Sequence, residues 1–225
     1  MNRKETTQKI FHDKLIAVIR LRNADNMEEI VSAIIKGGIT NIEITLNTPK
    51  ALEWIKKFSK SFRQNDSFKH KDYCIGAGTI LDAAGTHAAI DAGAQFLVSP
   101  VLFDEMIDIA HQADICAIPS GLTPTEILHA WNAGADAVKI FPMTGEGPSY
   151  LRAIHGPFPE IPLIPTSGVT SENADAFLLA GAAAIGIGTS LVDKQTADAN
   201  DYSEITRRAS RLVEITKASW KRFLA

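Results

Sequence analysis

The stretch that decides the fold is WNAGADAVKIF, residues 131–141, where the end of a helix passes through Ala-Gly into an apolar strand. Glycine lets a chain leave a helix, and Ala137–Phe141 has the length and composition of a buried strand. Similar helix-to-strand turns stand at residues 35–40, 90–95 and 178–183. Their repetition predicts strand and helix units that follow one another along the chain.

Eight strand candidates alternate with helical patterns such as Asn26–Lys36 and Pro124–Asn132, the latter capped by Thr123. Eight units within 225 residues predict an α/β protein, a (β/α)₈ TIM barrel that forms a single domain over residues 1–225. A doubly wound sheet is the alternative, but no Gly-x-Gly-x-x-Gly follows the first strand. The predicted strands are Leu15–Ile19, Asn41–Leu46, Tyr73–Gly76, Gln95–Ser99, Ile115–Ile118, Ala137–Phe141, Pro162–Pro165 and Ala183–Ile187.

Three segments lie outside this repeat. The residues before Leu15 predict an extra N-terminal helix that closes the barrel floor. The polar stretch Arg63–Lys71 predicts a surface loop, and Ser203–Phe223 predicts a final helix.

Composition argues against several classes of function. A formal net charge of −3 gives no basic surface for nucleic acid. The sequence contains no run as long as a membrane span, and its start lacks the apolar stretch of a signal peptide, so we expect a cytoplasmic protein with no membrane partner. Cys74 and Cys116 lie in apolar runs and are expected to be buried free thiols. The histidines are scattered, and we expect no metal site.

Lys139 is the charged residue inside the apolar strand Ala137–Phe141. An ammonium group there must be paired, reach solvent at the strand end, or give up its proton. Because a lysine held near its neutral amine is a nucleophile for ketones, Lys139 is the leading candidate for a catalytic residue.

Other polar residues follow neighbouring strands. Alternate strand residues face the interior of a barrel, and active sites lie at the C-terminal ends of its strands. By this rule Glu43, Thr45 and Asn47 face inward, Arg20 follows the first strand and Thr79 the third. Arginine, glutamate and threonine side chains would then converge with Lys139 on one mouth of the barrel. The alternative, for each residue taken singly, is that Glu43 or Lys139 is half of a structural ion pair and that Arg20 is a surface arginine.

Small residues after the last two predicted strands indicate a phosphate site. Pro165–Thr170 and Gly186–Ser190 would let backbone N–H groups approach an oxyanion, as barrels commonly do at this position. The alternative is that glycine and serine make tight turns there.

Six motifs in order resemble the family of 2-keto-3-deoxy-6-phosphogluconate aldolase and 4-hydroxy-2-oxoglutarate aldolase. The resemblance runs from about Leu15 to about Val192. The motifs are IEITL (42–46), GAGT (76–79), VSP (98–100), TPTE (123–126), VKIFP (138–142) and GPFP (156–159).

The resemblance implies a class I aldolase, usually a homotrimer, that uses no metal or other cofactor. Such an enzyme cleaves a small phosphorylated keto-acid to pyruvate and glyceraldehyde 3-phosphate. It implies that Lys139 forms the Schiff base and that Glu43 is the general acid and base. The other site residues that it implies are Arg20, Thr79, Pro100 and Phe141 at the keto-acid end, and Thr166, Gly168 and Ser190 at the phosphate end.

Three residues depart from the family pattern. Asn47 stands where many gluconate-type enzymes carry an arginine that grips the substrate carboxylate, and Leu46–Pro49 is more similar to the galactonate branch. Ser120 and Ser167 each replace a glycine. Four hypotheses therefore stay open: the gluconate substrate, the same chemistry on the galactonate epimer or on 4-hydroxy-2-oxoglutarate, a phosphate-binding isomerase in which Lys139 anchors an anion, and a catalytically silent binding barrel.

Overall fold

The computed structural model describes residues 1–64, 73–143, 145 and 147–223. These residues form nine strands and ten helices arranged as a closed (β/α)₈ barrel, which confirms the predicted fold. The strands are β1 (Leu15–Ile19), β2 (Asn41–Thr45), β3 (Cys74–Gly78), β4 (Phe96–Val98), β5 (Cys116–Ile118), β6 (Ser120–Gly121), β7 (Val138–Ile140), β8 (Leu163–Pro165) and β9 (Ile185–Ile187).

The helices pack around the strands and at the floor of the barrel. They are α1 (Arg3–Asp13), α2 (Met27–Lys36), α3 (Ala51–Gln64), α4 (Ala83–Asp91), α5 (Asp104–Gln112), α6 (Pro124–Asn132), α7 (Gly147–His155), α8 (Ala174–Leu179), α9 (Lys194–Asp198) and α10 (Tyr202–Phe223).

All strand pairs are parallel, in the orders β5-β4-β3-β2-β1-β9 and β6-β7-β8. Strands β5 and β6 are two halves of the fifth barrel strand, separated by Pro119, which has no N–H for the ladder. The first half pairs with β4 and the second with β7. A bridge between Thr166 and Gly186 joins β8 to β9 and closes the barrel.

Side-chain alternation divides the core into two layers. Ile16 and Val18 of β1 lie in one apolar cluster with Phe96 of β4. Their neighbours Ala17 and Ile19 belong to a larger cluster that includes the helices. Because alternate strand residues point to opposite faces, the first cluster is the barrel interior and the second is the layer between strands and helices.

Helix α1 closes the floor of the barrel, as predicted. It begins with a capping box between Asn2 and Glu5, and its Ile10 belongs to the interior cluster. Arg3 Nε lies 2.8 Å from Asp136 Oδ1, just before β7, which fixes the helix against the strand layer. The free thiols Cys74 and Cys116 are buried in the same interior, as predicted.

The remaining differences from prediction concern ends and short elements. Several strands are one or two residues shorter than predicted, because their end residues make single hydrogen bonds outside the regular ladder, as Ala183 N does to Leu163 O at 2.9 Å. Helix α9 was not predicted. Arg63 lies in α3, and most of the predicted loop falls outside the described residues. None of the described helices is long and apolar enough to cross a membrane.

Candidate active site

Lys139 is the central residue of β7, and its side chain points into the barrel. Val138 and Ile140 lie in the outer layer, whereas Ala137 lies in the interior cluster, so the alternation assigns Lys139 to the interior as well. Only 4% of the residue is exposed. Its Nζ lies 5.0 Å from the centroid of the Phe141 ring, which places the amino group over an aromatic face.

Glu43 of β2 faces Lys139 across the barrel. Counting β5 and β6 as one strand, β2 is the second and β7 the sixth of eight, so the two strands lie on opposite sides. Glu43 is 2% exposed, and no atom of the described residues hydrogen-bonds its Oε1. A buried carboxylate oxygen without a protein partner is costly, which is typical of a site where another molecule binds.

Gly78 of β3 makes room for the Glu43 carboxyl group. Glu43 lies opposite Gly76 in the strand register, and Gly78 is two residues nearer the C-terminal mouth. A Cβ added to Gly78 would lie 1.8 Å from Glu43 Oε1 and 2.5 Å from Cδ. The carboxyl group therefore extends toward the mouth over a bare stretch of backbone, a contact that sequence analysis missed.

The surroundings of the two side chains shift the pKa of each toward its neutral form. Burial lowers the pKa of Lys139, and the nearby Arg20 charge lowers it further, while Glu43 opposes both effects. Burial likewise raises the pKa of Glu43, against the Lys139 and Arg20 charges. No hydrogen bond or ion pair joins the two side chains directly. Together they provide an amine that can act as a nucleophile and a carboxyl group that can both donate and accept a proton.

The residues predicted for the keto-acid end occupy the C-terminal mouth. Arg20 follows β1 and is exposed, and its charge acts on both Lys139 and Glu43, so the structure brings these three together. Thr79 follows β3 with a φ of 60°, a left-handed conformation that is uncommon for threonine. Pro100 follows β4 and is half-buried.

Asn47 lies beyond the end of β2. The strand ends at Thr45, and Asn47 occupies the turn that follows and is exposed to solvent. The alternation of β2 predicted that Asn47 faces inward. Because Asn47 lies outside the strand, that alternation does not apply to it.

The segment after β8 turns through two successive left-handed residues. Ser167 and Gly168 have φ angles of 71° and 78°, both left-handed. Backbone N–H groups in such turns make anion-binding concavities. Thr166 is buried against Gly186, whose missing Cβ would otherwise lie 2.3 Å from Thr166 Oγ1.

Two serines of this region use their hydroxyl groups within the protein. Ser190 Oγ donates to Val169 O at 2.9 Å and so ties the segment after β9 to the segment after β8. Ser120 Oγ donates to Ser99 O at 2.7 Å and is 2% exposed. The hydroxyl group that replaces the family glycine at position 120 is thus satisfied inside the strand layer.

Comparison with known proteins agrees with this geometry. The family model described as KDPG and KHG aldolase matches residues 6–208. The protein belongs to this family. Its members are aldolases, lyases that act on carbon–carbon bonds.

Individual members of the KDPG and KHG aldolase family cover most of the chain. A 2-dehydro-3-deoxy-phosphogluconate aldolase of Pseudomonas aeruginosa is 32% identical over 203 residues, 89% of this chain and 88% of the relative. A 2-dehydro-3-deoxy-6-phosphogalactonate aldolase of Escherichia coli is 34% identical over 178 residues, 79% of this chain and 83% of the relative. The crystal structure of KDPG aldolase from Legionella pneumophila, with pyruvate captured as a covalent carbinolamine intermediate, superposes with a TM-score of 0.81, at 28% identity, over 92% of this chain and 97% of that chain.

Proposed function

We propose that this protein is a class I aldolase that cleaves 2-keto-3-deoxy-6-phosphogluconate to pyruvate and glyceraldehyde 3-phosphate through a Schiff base on Lys139. The observation that carries the proposal is the nearly complete burial of Lys139 opposite Glu43, with the pKa of the lysine lowered and that of the glutamate raised. A pyruvate carbinolamine in the Legionella relative supports the same chemistry.

The proposed reaction starts when the neutral Lys139 amine attacks the C2 ketone and forms a carbinolamine. Glu43 supplies the proton with which the hydroxyl group leaves as water, and a protonated imine remains. The imine takes up the electron pair of the C3–C4 bond as that bond breaks, while Glu43 accepts the proton of the C4 hydroxyl group. Glyceraldehyde 3-phosphate departs, and the protonated Glu43 carboxyl group gives its proton to C3 of the enamine. Water then adds to the resulting imine, Glu43 accepts a proton from it, and pyruvate leaves with Lys139 restored to its neutral amine. The imine is the electron sink, so these steps use no metal.

The other proposed roles follow the ends of the substrate. Arg20, with Thr79, holds the keto-acid carboxylate, while Phe141 and Pro100 wall the pocket. The left-handed turn at Ser167 and Gly168 offers its N–H groups to the phosphate. Thr166 and Ser190 line the same end. Ser190 would contribute through its backbone, because its hydroxyl proton is already donated to Val169 O.

A second candidate is the same cleavage of the galactonate epimer. Asn47, in place of the arginine common in gluconate-type enzymes, supports it, and so does the 34% identity to the Escherichia coli phosphogalactonate aldolase. The identities to the two kinds of relative differ by little, so the substrate has to be decided by measurement.

The deciding experiment measures kcat/KM for pyruvate release from the gluconate compound, the galactonate compound and 4-hydroxy-2-oxoglutarate. We expect the gluconate compound to give the highest value, and Asn47→Arg to raise its ratio over the galactonate compound. A higher value for either other substrate would replace the proposed substrate. An unchanged ratio in Asn47→Arg would remove Asn47 from the substrate site.

We also propose that the protein is a cytoplasmic homotrimer. Exposed apolar side chains near the mouth support an assembly, since Leu81 is 59% and Val101 49% exposed. Sedimentation should give three times the 24.4 kDa of one chain, and a monomer mass would contradict the assembly.

A further inference from the structure

Two buried threonines lie beside the backbone that flanks Arg20. Thr45 is the last residue of β2 and Thr48 lies in the turn that follows; they are 0% and 2% exposed. Thr45 Oγ1 donates to Ile19 O at 3.1 Å, and Thr48 Oγ1 accepts from Leu21 N at 3.2 Å. The two hydroxyl oxygens are 3.2 Å apart.

The protons of this network can be assigned. A hydroxyl group has one proton to donate, and that of Thr45 goes to Ile19 O. The bond between the two hydroxyl groups must therefore be donated by Thr48. The result is one directional chain of hydrogen bonds from Leu21 N through Thr48 and Thr45 to Ile19 O. Hydrogen bonds in such chains polarise and strengthen one another.

Both ends of this chain lie on the backbone that flanks Arg20. The side chain of Arg20 makes no hydrogen bond or ion pair with the described residues, and it is exposed. Its position therefore depends on where the main chain of Ile19 and Leu21 is held. The same turn is anchored to β2 by the bond from Thr48 N to Thr45 O at 2.9 Å.

We propose that Thr45 and Thr48 are positioning residues, which clamp the main chain on both sides of Arg20 and so aim its guanidinium group at the keto-acid carboxylate. The inference rests on the proposed function in one respect, the role of Arg20 in binding that carboxylate. A clamp of this kind acts on substrate affinity, whereas a merely structural pair of threonines would change stability alone.

The test uses Thr45→Val and Thr48→Val, which remove a hydroxyl group with little change of shape. Thr45→Ser is the conservative variant, because serine keeps the hydroxyl group at this position. Thr216→Val in α10 is the matched control, because its buried hydroxyl group also donates to a backbone carbonyl, that of Val213 at 2.9 Å, away from the mouth. KM and kcat are measured for cleavage of the best substrate, with the thermal midpoint of each variant.

We expect Thr45→Val and Thr48→Val each to raise KM on the order of tenfold with kcat changed by less than about threefold, since a carboxylate contact is lost. Thr45→Ser should return KM to within about twofold of wild type, and Thr216→Val should leave KM unchanged. In an Arg20→Ala background, Thr45→Val should raise KM no further, because both changes remove the same contact.

Three results would overturn the clamp: an unchanged KM in folded Thr45→Val or Thr48→Val, an equal effect in Thr216→Val, or a full additional rise in KM in the Arg20→Ala background. If Thr45→Val does not fold, Thr48→Val decides at the other end of the same chain. Trapping of pyruvate on wild-type Lys139 with borohydride separates the two proposals. An adduct together with any of these three results removes the clamp and leaves the aldolase, while a folded wild-type protein without an adduct removes the aldolase itself.

Discussion

Replacing Gly78 with alanine should disable Glu43 while leaving the barrel folded. The added Cβ would lie 1.8 Å from Oε1, 2.5 Å from Cδ and 2.8 Å from Cγ of Glu43. Gly78 does not have a left-handed φ, so alanine meets no backbone strain, and the three atoms nearest to its Cβ all belong to the glutamate. To restore a contact of about 3.0 Å, the carboxyl group must withdraw by roughly 1.2 Å, and a misplacement of about 1 Å costs on the order of 100-fold in rate.

The assay is the steady-state rate of pyruvate release, measured for Gly78→Ala and for Gly76→Ala as the matched control. A Cβ at Gly76 would lie 2.5 Å from the Phe96 ring, and its three nearest atoms all belong to Phe96, so this variant overfills the same strand with its closest conflict away from the Glu43 carboxyl group. Each should lose about 1 to 3 kcal/mol of stability. We expect kcat to fall about 100-fold in Gly78→Ala and less than about tenfold in Gly76→Ala. Equal losses of kcat in the two variants would refute the reasoning.

Two further predictions concern strain and charge. Ser167 has a φ of 71°, and its hydroxyl group makes no hydrogen bond within the described residues. Ser167→Gly should therefore stabilise the protein by about 1 kcal/mol and raise the thermal midpoint by about 2 °C, whereas Gly168→Ser should lower the midpoint. A lower midpoint in Ser167→Gly would contradict the proposed backbone strain. The rate of imine formation with pyruvate should rise with pH as Lys139 loses its proton. At low salt the half-maximal pH should shift down in Glu43→Gln and up in Arg20→Gln, because Glu43 raises and Arg20 lowers the pKa of Lys139; shifts of the opposite sign would refute the assignment.

Much of the barrel could be predicted because its pattern is local. Most strands are short apolar runs, and a glycine follows α2, α4, α6 and α8, so the order of elements can be read along the sequence. Lys139 and Glu43 could be found for the same reason, since one is a charge in an apolar strand and the other alternates with aliphatic residues in Asn41–Thr45. The rule that barrel sites lie at the C-terminal strand ends then predicts that Lys139 and Glu43 share one pocket.

What escaped prediction depends on contacts between distant residues or on unusual backbone angles. Gly78 is 35 residues from Glu43, and only the strand register brings them together. Ser167 adopts a left-handed conformation that its residue type disfavours, so only the surrounding turn explains it. Thr48 acts through backbone atoms of β1 and of the segment after it, and the spacing of Thr45 and Thr48 alone indicates only a turn.

The amine of Lys139 is the group on which the proposed reaction depends most directly. Wild-type protein, Lys139→Arg and Lys14→Arg are incubated with pyruvate and borohydride, and the adduct is located by peptide mass spectrometry. Lys14 serves as the control because it is half-buried at the opposite end of the barrel, just before β1. The account predicts one reduced pyruvate adduct on Lys139 in the wild type and in Lys14→Arg, and no adduct there in Lys139→Arg, since arginine keeps the charge without a nucleophilic amine. A folded wild-type protein that forms no adduct, or forms it on another lysine, would contradict the central claim.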